Sequence, residues 1–284
     1  MKNLFTIVTL SLLVFLSCNK KGEDIPAVKN GVVNIVFDNI AVVGQLQKQL
    51  KLSAVGGENY DFKSGLGQDF NVTLLRYFIS KIVLEGPNGE RYEDEISVSA
   101  TGAKGFYLVD ENDFDSQLIT LSDVPAGEYN KVSFTVGIDE EGVKEGAAGG
   151  VLDPATNGMF WNWNAGYVAL KFEGQSPVAA GGANGNTITP DNAKGLVFHV
   201  GGWKEVKDTP FVYNNKRLSY TFYTSVKVNS EKDPYVHMVF DVLKMLAAKN
   251  MIDFTGNNNV HKPIDGVPIA ENLEAAFQFD HIHQ

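Results

Sequence analysis

The longest β-rich stretch of this 284-residue chain is Asn71-Val-Thr-Leu-Leu-Arg-Tyr-Phe-Ile-Ser-Lys-Ile-Val-Leu84. Its β-branched and aromatic residues favour an extended strand, and the Gly86-Pro-Asn-Gly89 segment that follows is a strong turn signal. Shorter strand-like segments, bounded by turn residues, recur along the chain at residues 33–37, 46–52, 105–110, 116–121, 131–139, 167–172, 195–200, 217–228 and 235–242. Many short strands with few helices predict an all-β, two-sheet, sandwich-like fold.

Helical patterns are confined to two short segments near the C-terminus. Residues 241–250 form the first, and residues 268–277 form the second, with Pro268 at the first turn and apolar residues every fourth position. Residues 46–52 alternate between apolar and polar side chains, which predicts a strand with one face of each kind. Because no linker divides the chain, we expect one domain over residues 31–284.

The N-terminus has the pattern of a bacterial lipoprotein leader. A short basic start precedes an apolar run that is too short to span a membrane comfortably. The run ends at Leu16-Ser17-Cys18, which resembles a lipobox, and Cys18 is the only cysteine. An ordinary signal peptide with an accidental cysteine is the alternative. We expect a signal peptide over residues 1–17, a lipidated tether over residues 18–30, and anchoring at the outer membrane, facing the periplasm or the cell surface.

The acidic composition narrows the classes of function. The formal net charge of −10 disfavours nucleic acid as a partner and argues against a polybasic membrane patch. The sequence has no nucleophile elbow, P-loop, HExxH zinc motif or EF-hand loop. We therefore expect a protein that is not an enzyme, although paired carboxylates of a hydrolase would be invisible in such a sequence.

The C-terminal histidines suggest a metal site. All five histidines lie in the last third of the chain, and residues 277–284 alternate like a strand. Two strand residues separate the Cα atoms of His281 and His283 by about 7 Å on one face, so both imidazoles can reach one metal ion. Asp280 is near enough to support a ligand, although a regular strand would turn it to the other face. A solvated tail is the alternative interpretation.

The other three histidines are more ambiguous. His199 lies in an apolar strand, where a hydrogen-bonded core residue and a metal ligand are both reasonable. His261 lies in a loop, as a ligand or as a plain surface residue. His237 alternates with apolar residues in a strand, which favours a structural role.

An aromatic block offers a second candidate site. Trp161 and Trp163 fall on the same face of a strand if that strand begins near Met159. The block can fill the core, or it can line a ligand or metal site. A third use is a stacking platform on a surface module that binds a glycan or a protein without metal.

The donor atoms restrict the choice of metal. Since the only cysteine is assigned to lipidation, blue-copper, cysteine-zinc and iron–sulfur sites are excluded. Imidazoles without thiolate suit copper or zinc, and the Irving–Williams order favours copper.

Several blocks, taken in their order along the chain, resemble the MbnP family of copper-binding proteins, and the resemblance covers roughly residues 31–283. The blocks are Leu75-Arg-Tyr-Phe-Ile-Ser80, Val124-Pro-Ala-Gly-Glu-Tyr129, Phe134-Thr-Val-Gly-Ile-Asp139, Leu152-Asp-Pro, Gly158-Met-Phe-Trp-Asn-Trp-Asn-Ala-Gly-Tyr167, Lys171-Phe-Glu-Gly174 and Phe198-His-Val-Gly201. The polar tether after Cys18 also looks like those of Bacteroidetes lipoproteins, and many Bacteroidetes members of this family are lipoproteins.

The resemblance implies a mostly β fold that binds copper through histidines. We therefore expect His199, His261, His281 and His283 as ligands in a protein of copper capture or handling. In some members a tryptophan oxidised to kynurenine also ligates the metal, and a di-haem enzyme related to cytochrome c peroxidases performs the oxidation. Trp161, Trp163 and Trp203 are the candidates here, and the first two are favoured.

Overall fold

A computed structural model describes residues 29–139, 143, 148–161, 165–181, 183, 185 and 194–284. The predicted signal peptide, Cys18 and nearly all of the tether lie outside these residues. Within them, two large β-sheets and only short helices confirm the all-β, sandwich-like prediction. None of the described helices combines the length and apolarity needed to cross a membrane.

The strands follow one another with short connections over most of the chain. In chain order they are β1 Gly31–Val43, β2 Leu46–Gln49, β3 Phe62–Lys63, β4 Asp69–Glu85, β5 Arg91–Glu93, β6 Ser97–Ser99, β7 Gly102–Lys104, β8 Phe106–Asp110, β9 Leu118–Val124, β10 Gly127–Val136, β11 Phe160–Trp161, β12 Gly166–Gln175, β13 Gly195–Gly201, β14 Lys216–Val228, β15 Tyr235–Asp241, β16 Asn259–Val260 and β17 Phe277–His283. The α-helices are α1 Pro154–Asn157, α2 Val242–Leu246 and α3 Pro263–Ala276, and 3₁₀ turns cover Phe114–Gln117 and Gly150–Leu152.

The two main sheets differ in size and connectivity. The five-stranded sheet has the order β17-β15-β1-β2, with β9 also paired to β1. In it β15 runs parallel to β1 and antiparallel to β17. The ten-stranded sheet follows the path β14-β10-β4-β12-β13-β16, with shorter strands on its flanks. The helices α2 and α3 carry the chain from β15 to β17, so the last two strands of the small sheet are distant in sequence but adjacent in space.

An aromatic core fills the space between the two sheets. Phe37 of the small sheet meets Phe134 of the large sheet with ring centroids 5.3 Å apart, and Tyr77 meets Phe240 at 5.2 Å. All four side chains are fully buried. The Phe37–Phe134 pair is edge-to-face, and such a pair contributes about 0.5–1.5 kcal/mol beyond the effect of the apolar area that it buries. The residues between these core positions therefore point to the outer face of each sheet.

The large sheet is also covered on its outer face. Phe78, which lies between two core residues of β4, belongs to a second apolar cluster with Met159, Trp161 and Tyr167. Strand β12 is consequently buried at every position, as expected for a strand covered on both faces. This outer layer means that polar groups on that face of the sheet are withdrawn from solvent.

Three details differ from the sequence predictions. Helix α3 begins at Pro263, five residues earlier than predicted, because Pro263 takes the first-turn position and the helix tolerates Pro268 in its interior. The helix predicted over residues 241–250 corresponds to α2, which is limited to Val242–Leu246. Strand β2 ends at Gln49 and is exposed at every residue, because it pairs only with β1 at the sheet edge, so its alternation reflects no buried face.

Candidate metal centre

Three histidines come together on the outer face of the five-stranded sheet. His237 lies in β15 between Val236 and Met238, which are fully buried in the core, so its own side chain points away from the core. His281 of β17 lies directly opposite His237 in the antiparallel ladder, and His283 lies opposite the next outward position of β15. Neighbouring positions on one sheet face thus supply all three imidazoles.

The three imidazoles converge closely enough to hold one ion. The rings of His237 and His281 stack with centroids 4.3 Å apart and an interplanar angle of 7°. The ring of His283 stands nearly perpendicular to both, 4.7 Å from His281 and 5.3 Å from His237. One potential ligand atom from each histidine lies within 4.8 Å of the other two. The side chain of His281 is 46% exposed, so the centre is open to solvent.

Two carboxylates orient two of these imidazoles. An oxygen of Asp38 lies 2.8 Å from Nδ1 of His237, and an oxygen of Asp280 lies 2.8 Å from Nδ1 of His281. A carboxylate only accepts hydrogen bonds, so each Nδ1 donates, and in the neutral ring Nε2 keeps its lone pair for a metal. Carboxylates that hold the far nitrogen of a ligating histidine are the usual supports of metal sites.

The position of Asp280 depends on an irregularity in β17. In the ladder His237 pairs with His281 and Met238 pairs with Phe279, so Asp280 is an extra residue in a β-bulge. A regular strand would have turned Asp280 to the opposite face from His281. The bulge brings its carboxylate to the neighbouring imidazole instead.

A second pair of histidines lies on the outer face of the ten-stranded sheet. His199 of β13 is flanked by the core residues Phe198 and Val200, and its Nε2 lies 2.9 Å from Oε1 of Glu173 on β12. His261 follows β16, which pairs in parallel with β13, and its ring centroid lies 4.4 Å from that of His199.

Burial sets the chemistry of this second pair. Glu173 is fully buried and His199 is 5% exposed. Burial lowers the pKa of His199 to about 4, against the hydrogen bond that its imidazole donates to Glu173, which raises it. Burial also lowers the pKa of His261. Nδ1 of His261 is held by the side chain of Asn259 at 2.7 Å. Both imidazoles are therefore neutral at neutral pH, with His199 enclosed and His261 half-buried at the edge of the cluster.

The predicted ligands do not form one site. His199 and His261 lie outside the large sheet, whereas His281 and His283 lie outside the small sheet, and the aromatic core separates them. Two packed sheets are about 10 Å apart, so no single ion can bind members of both groups.

His237, whose apolar strand predicts a structural role, completes the exposed group instead. The apolar residues on either side of His237 predict that its side chain points away from the core. The pairing of its strand with β17 could not be predicted from the sequence, because two helices lie between the two strands.

The aromatic block is placed only in part. Trp161 packs in the outer apolar cluster and is 5% exposed. Trp163 lies outside the described residues. The ring of Trp203 is 8% exposed and lies close to Gly166, the partner of Trp161 in the short β11–β12 ladder. Burial of Trp161 agrees with the core-filling interpretation, and its role near a metal stays a prediction.

The exposed group fits a borderline transition metal better than a hard cation. Imidazole nitrogens suit copper, zinc and nickel, whereas calcium and magnesium prefer oxygen ligands. Both nearby carboxylates are engaged with imidazole N–H groups rather than turned toward the point where the rings converge.

The comparisons with known proteins agree with the fold. The MbnP family model matches residues 30–262, a range that includes His199, His237 and His261 but not His281 or His283. The structure of MbnP from Methylosinus trichosporium matches with a TM-score of 0.50 at 16% sequence identity, over 79% of this chain and 80% of that one. No curated protein is significantly similar. Since the family model spans most of the chain, this protein belongs to the MbnP family.

Proposed function

We propose that this protein binds copper outside the cytoplasm, without catalysing a reaction, and serves in copper capture or handling. The observation that carries the proposal is the convergence of His237, His281 and His283 on one exposed sheet face. Membership of the MbnP family supports copper as the metal, because the family resemblance implies copper binding through histidines.

The donor set supports copper on chemical grounds as well. Three nitrogen ligands with an open side leave room for a water or an external ligand. That arrangement also suits zinc, but the Irving–Williams order gives copper the higher affinity wherever both metals are available. A protein with a formal charge of −10 also attracts cations to its surface.

The decisive experiment measures copper bound to purified protein after Cu(II) loading and desalting. We expect a stoichiometric amount in the wild type and EPR features of several nitrogen ligands. A triple variant, His237→Ala with His281→Ala and His283→Ala, should bind none. The matched control is His199→Ala with His261→Ala, which removes two histidines from the other sheet and should keep the copper. Equal copper content in both variants would contradict the proposed centre.

Membrane attachment is part of the same proposal. It rests on the apolar leader and on Cys18 within the lipobox-like Leu16-Ser17-Cys18. We infer an acyl chain on Cys18 that holds the domain at the outer membrane, on its periplasmic or surface side. Labelling cells with a radioactive fatty acid should mark the wild type and leave Cys18→Ser unlabelled. Equal labelling of both would refute lipidation at this residue.

Tryptophan oxidation by a di-haem partner enzyme belongs to the proposal through the family resemblance alone. Mass spectrometry of protein isolated from its own host should then find the kynurenine form of a peptide containing Trp161, Trp163 or Trp203. If all of these peptides are unmodified, the proposed oxidation by a partner enzyme is wrong for this protein.

The alternative, a glycan- or protein-binding module without metal, has less support. A stacking platform requires exposed rings, and Trp161 is 5% exposed within an apolar cluster. The exposed histidine group has no role in such a module.

A further inference from the structure

We propose that the three ligands of the exposed centre are not equivalent: His237 and His281 are the fixed ligands, and His283 is the exchangeable ligand through which metal enters and leaves. This inference rests on the proposed metal-binding function and adds a division of roles within the site. It follows from the hydrogen bond that each imidazole makes.

His237 is fixed by a neighbouring strand. Asp38 lies on β1, which pairs with β15 in parallel, and its carboxylate reaches His237 across the ladder at 2.8 Å. The side chains of Asp38 and His237 are only 29% and 19% exposed. A partly buried, charge-assisted hydrogen bond of this length holds the ring in one orientation and one tautomer, with the proton on Nδ1 and a bare Nε2.

His281 is fixed by the bulge in its own strand. The carboxylate of Asp280 accepts from Nδ1 of His281 at 2.8 Å. The ring also stacks on that of His237 at 4.3 Å. Nε2 of His281 is therefore bare as well, so both rings already present the nitrogen that a metal requires.

His283 has the opposite proton placement. Its Nε2 lies 3.0 Å from Nε2 of His281, and a hydrogen bond between two nitrogens needs a proton on one of them. Since the proton of His281 is on Nδ1, the donor is Nε2–H of His283. No described residue makes a hydrogen bond to Nδ1 of His283. To bind a metal through Nε2, His283 must move its proton from Nε2 to Nδ1 by way of water, or turn its ring to present Nδ1.

The backbone beneath His283 stays in place during this change. The side chain of Gln284 donates from Nε2 to the carbonyl of Ser225 at 2.9 Å, and its oxygen accepts from the backbone N–H of Lys227 at 3.2 Å. These bonds tie the end of β17 to β14. Exchange at His283 is thus a movement of the imidazole alone, between a hydrogen bond to His281 and a bond to the metal. The two states exclude each other because both use the Nε2 lone pair of His281.

The first test reads the tautomers directly and needs no metal. Long-range ¹H–¹⁵N NMR of the metal-free protein above pH 7.5 should show the proton on Nδ1 in His237 and His281 and on Nε2 in His283. Asp38→Asn is the control for assignment, since it should perturb His237 and leave His283 unchanged. A proton on Nδ1 of His283 would overturn the inference, whether or not the protein binds copper.

The second test separates the roles by affinity for Cu(II). His283→Ala should lower the affinity less than tenfold, whereas His237→Ala and His281→Ala should each lower it by more than a hundredfold. Asp38→Asn should lower it by about 10–100-fold, the usual effect of removing a carboxylate that supports a ligand. A chelator should extract Cu(II) from His283→Ala several-fold faster than from the wild type, because the variant lacks the third ligand. Equal losses for the three alanine variants would refute the division of roles, whereas a wild type that binds no Cu(II) would refute the proposed function instead.

Discussion

The two histidine clusters both pair an imidazole with a carboxylate, but the pairs differ in burial and in which ring nitrogen the carboxylate contacts. In the exposed cluster, the carboxylates of Asp38 and Asp280 accept hydrogen bonds from Nδ1 of their histidines and leave each Nε2 without a proton. In the buried cluster, Glu173 takes Nε2 of His199 in a place that solvent does not reach. Burial and the choice of nitrogen thus separate a structural histidine–carboxylate pair from the proposed metal centre.

The largest expected effect concerns the stability of the buried cluster. His199→Ala removes a buried ring and leaves the carboxyl group of Glu173 without that imidazole, so we expect a loss of about 3–4 kcal/mol in the free energy of unfolding. Denaturant titration without metal measures it. His237→Ala, a histidine–carboxylate pair of partial exposure, is the control and should cost about 1 kcal/mol. Similar losses in both variants would remove the distinction between the clusters.

The next effect is a dependence of stability on pH. The pKa of His199 falls from 6.5 in the unfolded chain to about 4 in the folded protein. Between these values the unfolded chain binds more protons, so stability is full above pH 6.5 and falls as the pH drops toward 4, by up to about 3 kcal/mol. His199→Gln lacks this titration, so its curve of stability against pH should be flatter than that of the wild type over this window. If stability falls equally with pH in the wild type and in His199→Gln, His199 is not the group responsible.

A comparable effect is expected from metal in the exposed cluster. Free Cu(II) at a hundred times its dissociation constant should stabilise the wild type by about 2.7 kcal/mol, because only the folded state has the site. Thermal unfolding of His199→Gln should show the same gain from copper. The double variant His237→Ala with His281→Ala should show none. Stabilisation that persists in this variant would place the metal elsewhere.

The smallest effects are expected where each cluster meets solvent. His283→Ala removes an exposed ring that has no carboxylate partner among the described residues. His261→Ala removes a half-buried ring whose hydrogen bond, in the part of the chain that the structure describes, is to the exposed side chain of Asn259. Each should change the free energy of unfolding by less than about 0.5–1 kcal/mol in the absence of metal. Chemical denaturation settles both. A loss comparable to that of His199→Ala would show that the His283 or His261 ring contributes substantially to the stability of the fold.

The local pattern of residue types was sufficient to predict most of the strands. The stretch at residues 71–84 is contained in β4, Asp69–Glu85, because its β-branched and aromatic residues fit both faces of a covered strand. Helix α3 was misplaced at its start because two prolines compete for the first-turn position, and local pattern does not say which one wins.

The candidate site was predictable only where it is local in sequence. His281 and His283 share a face by strand periodicity, so the sequence brings them together without any knowledge of the sheet. Their third partner, His237, depends on the pairing of β15 with β17 across two helices. Asp38 depends in addition on a parallel pairing some 200 residues away in the chain. Non-local strand register is the information that a single sequence does not display.

The bulge at Asp280 has a consequence for how such a centre can arise and be lost. On either side of it, the pairs of β15 and β17 are in ordinary antiparallel register. Deleting Asp280 would therefore give a regular strand with Phe279 still facing the core and both C-terminal histidines still facing outward. One inserted codon is enough to supply a histidine with its supporting acid, and one deleted codon removes the acid without a cost to the core. In descent, the proposed metal centre can be tuned by insertions and deletions as well as by substitutions.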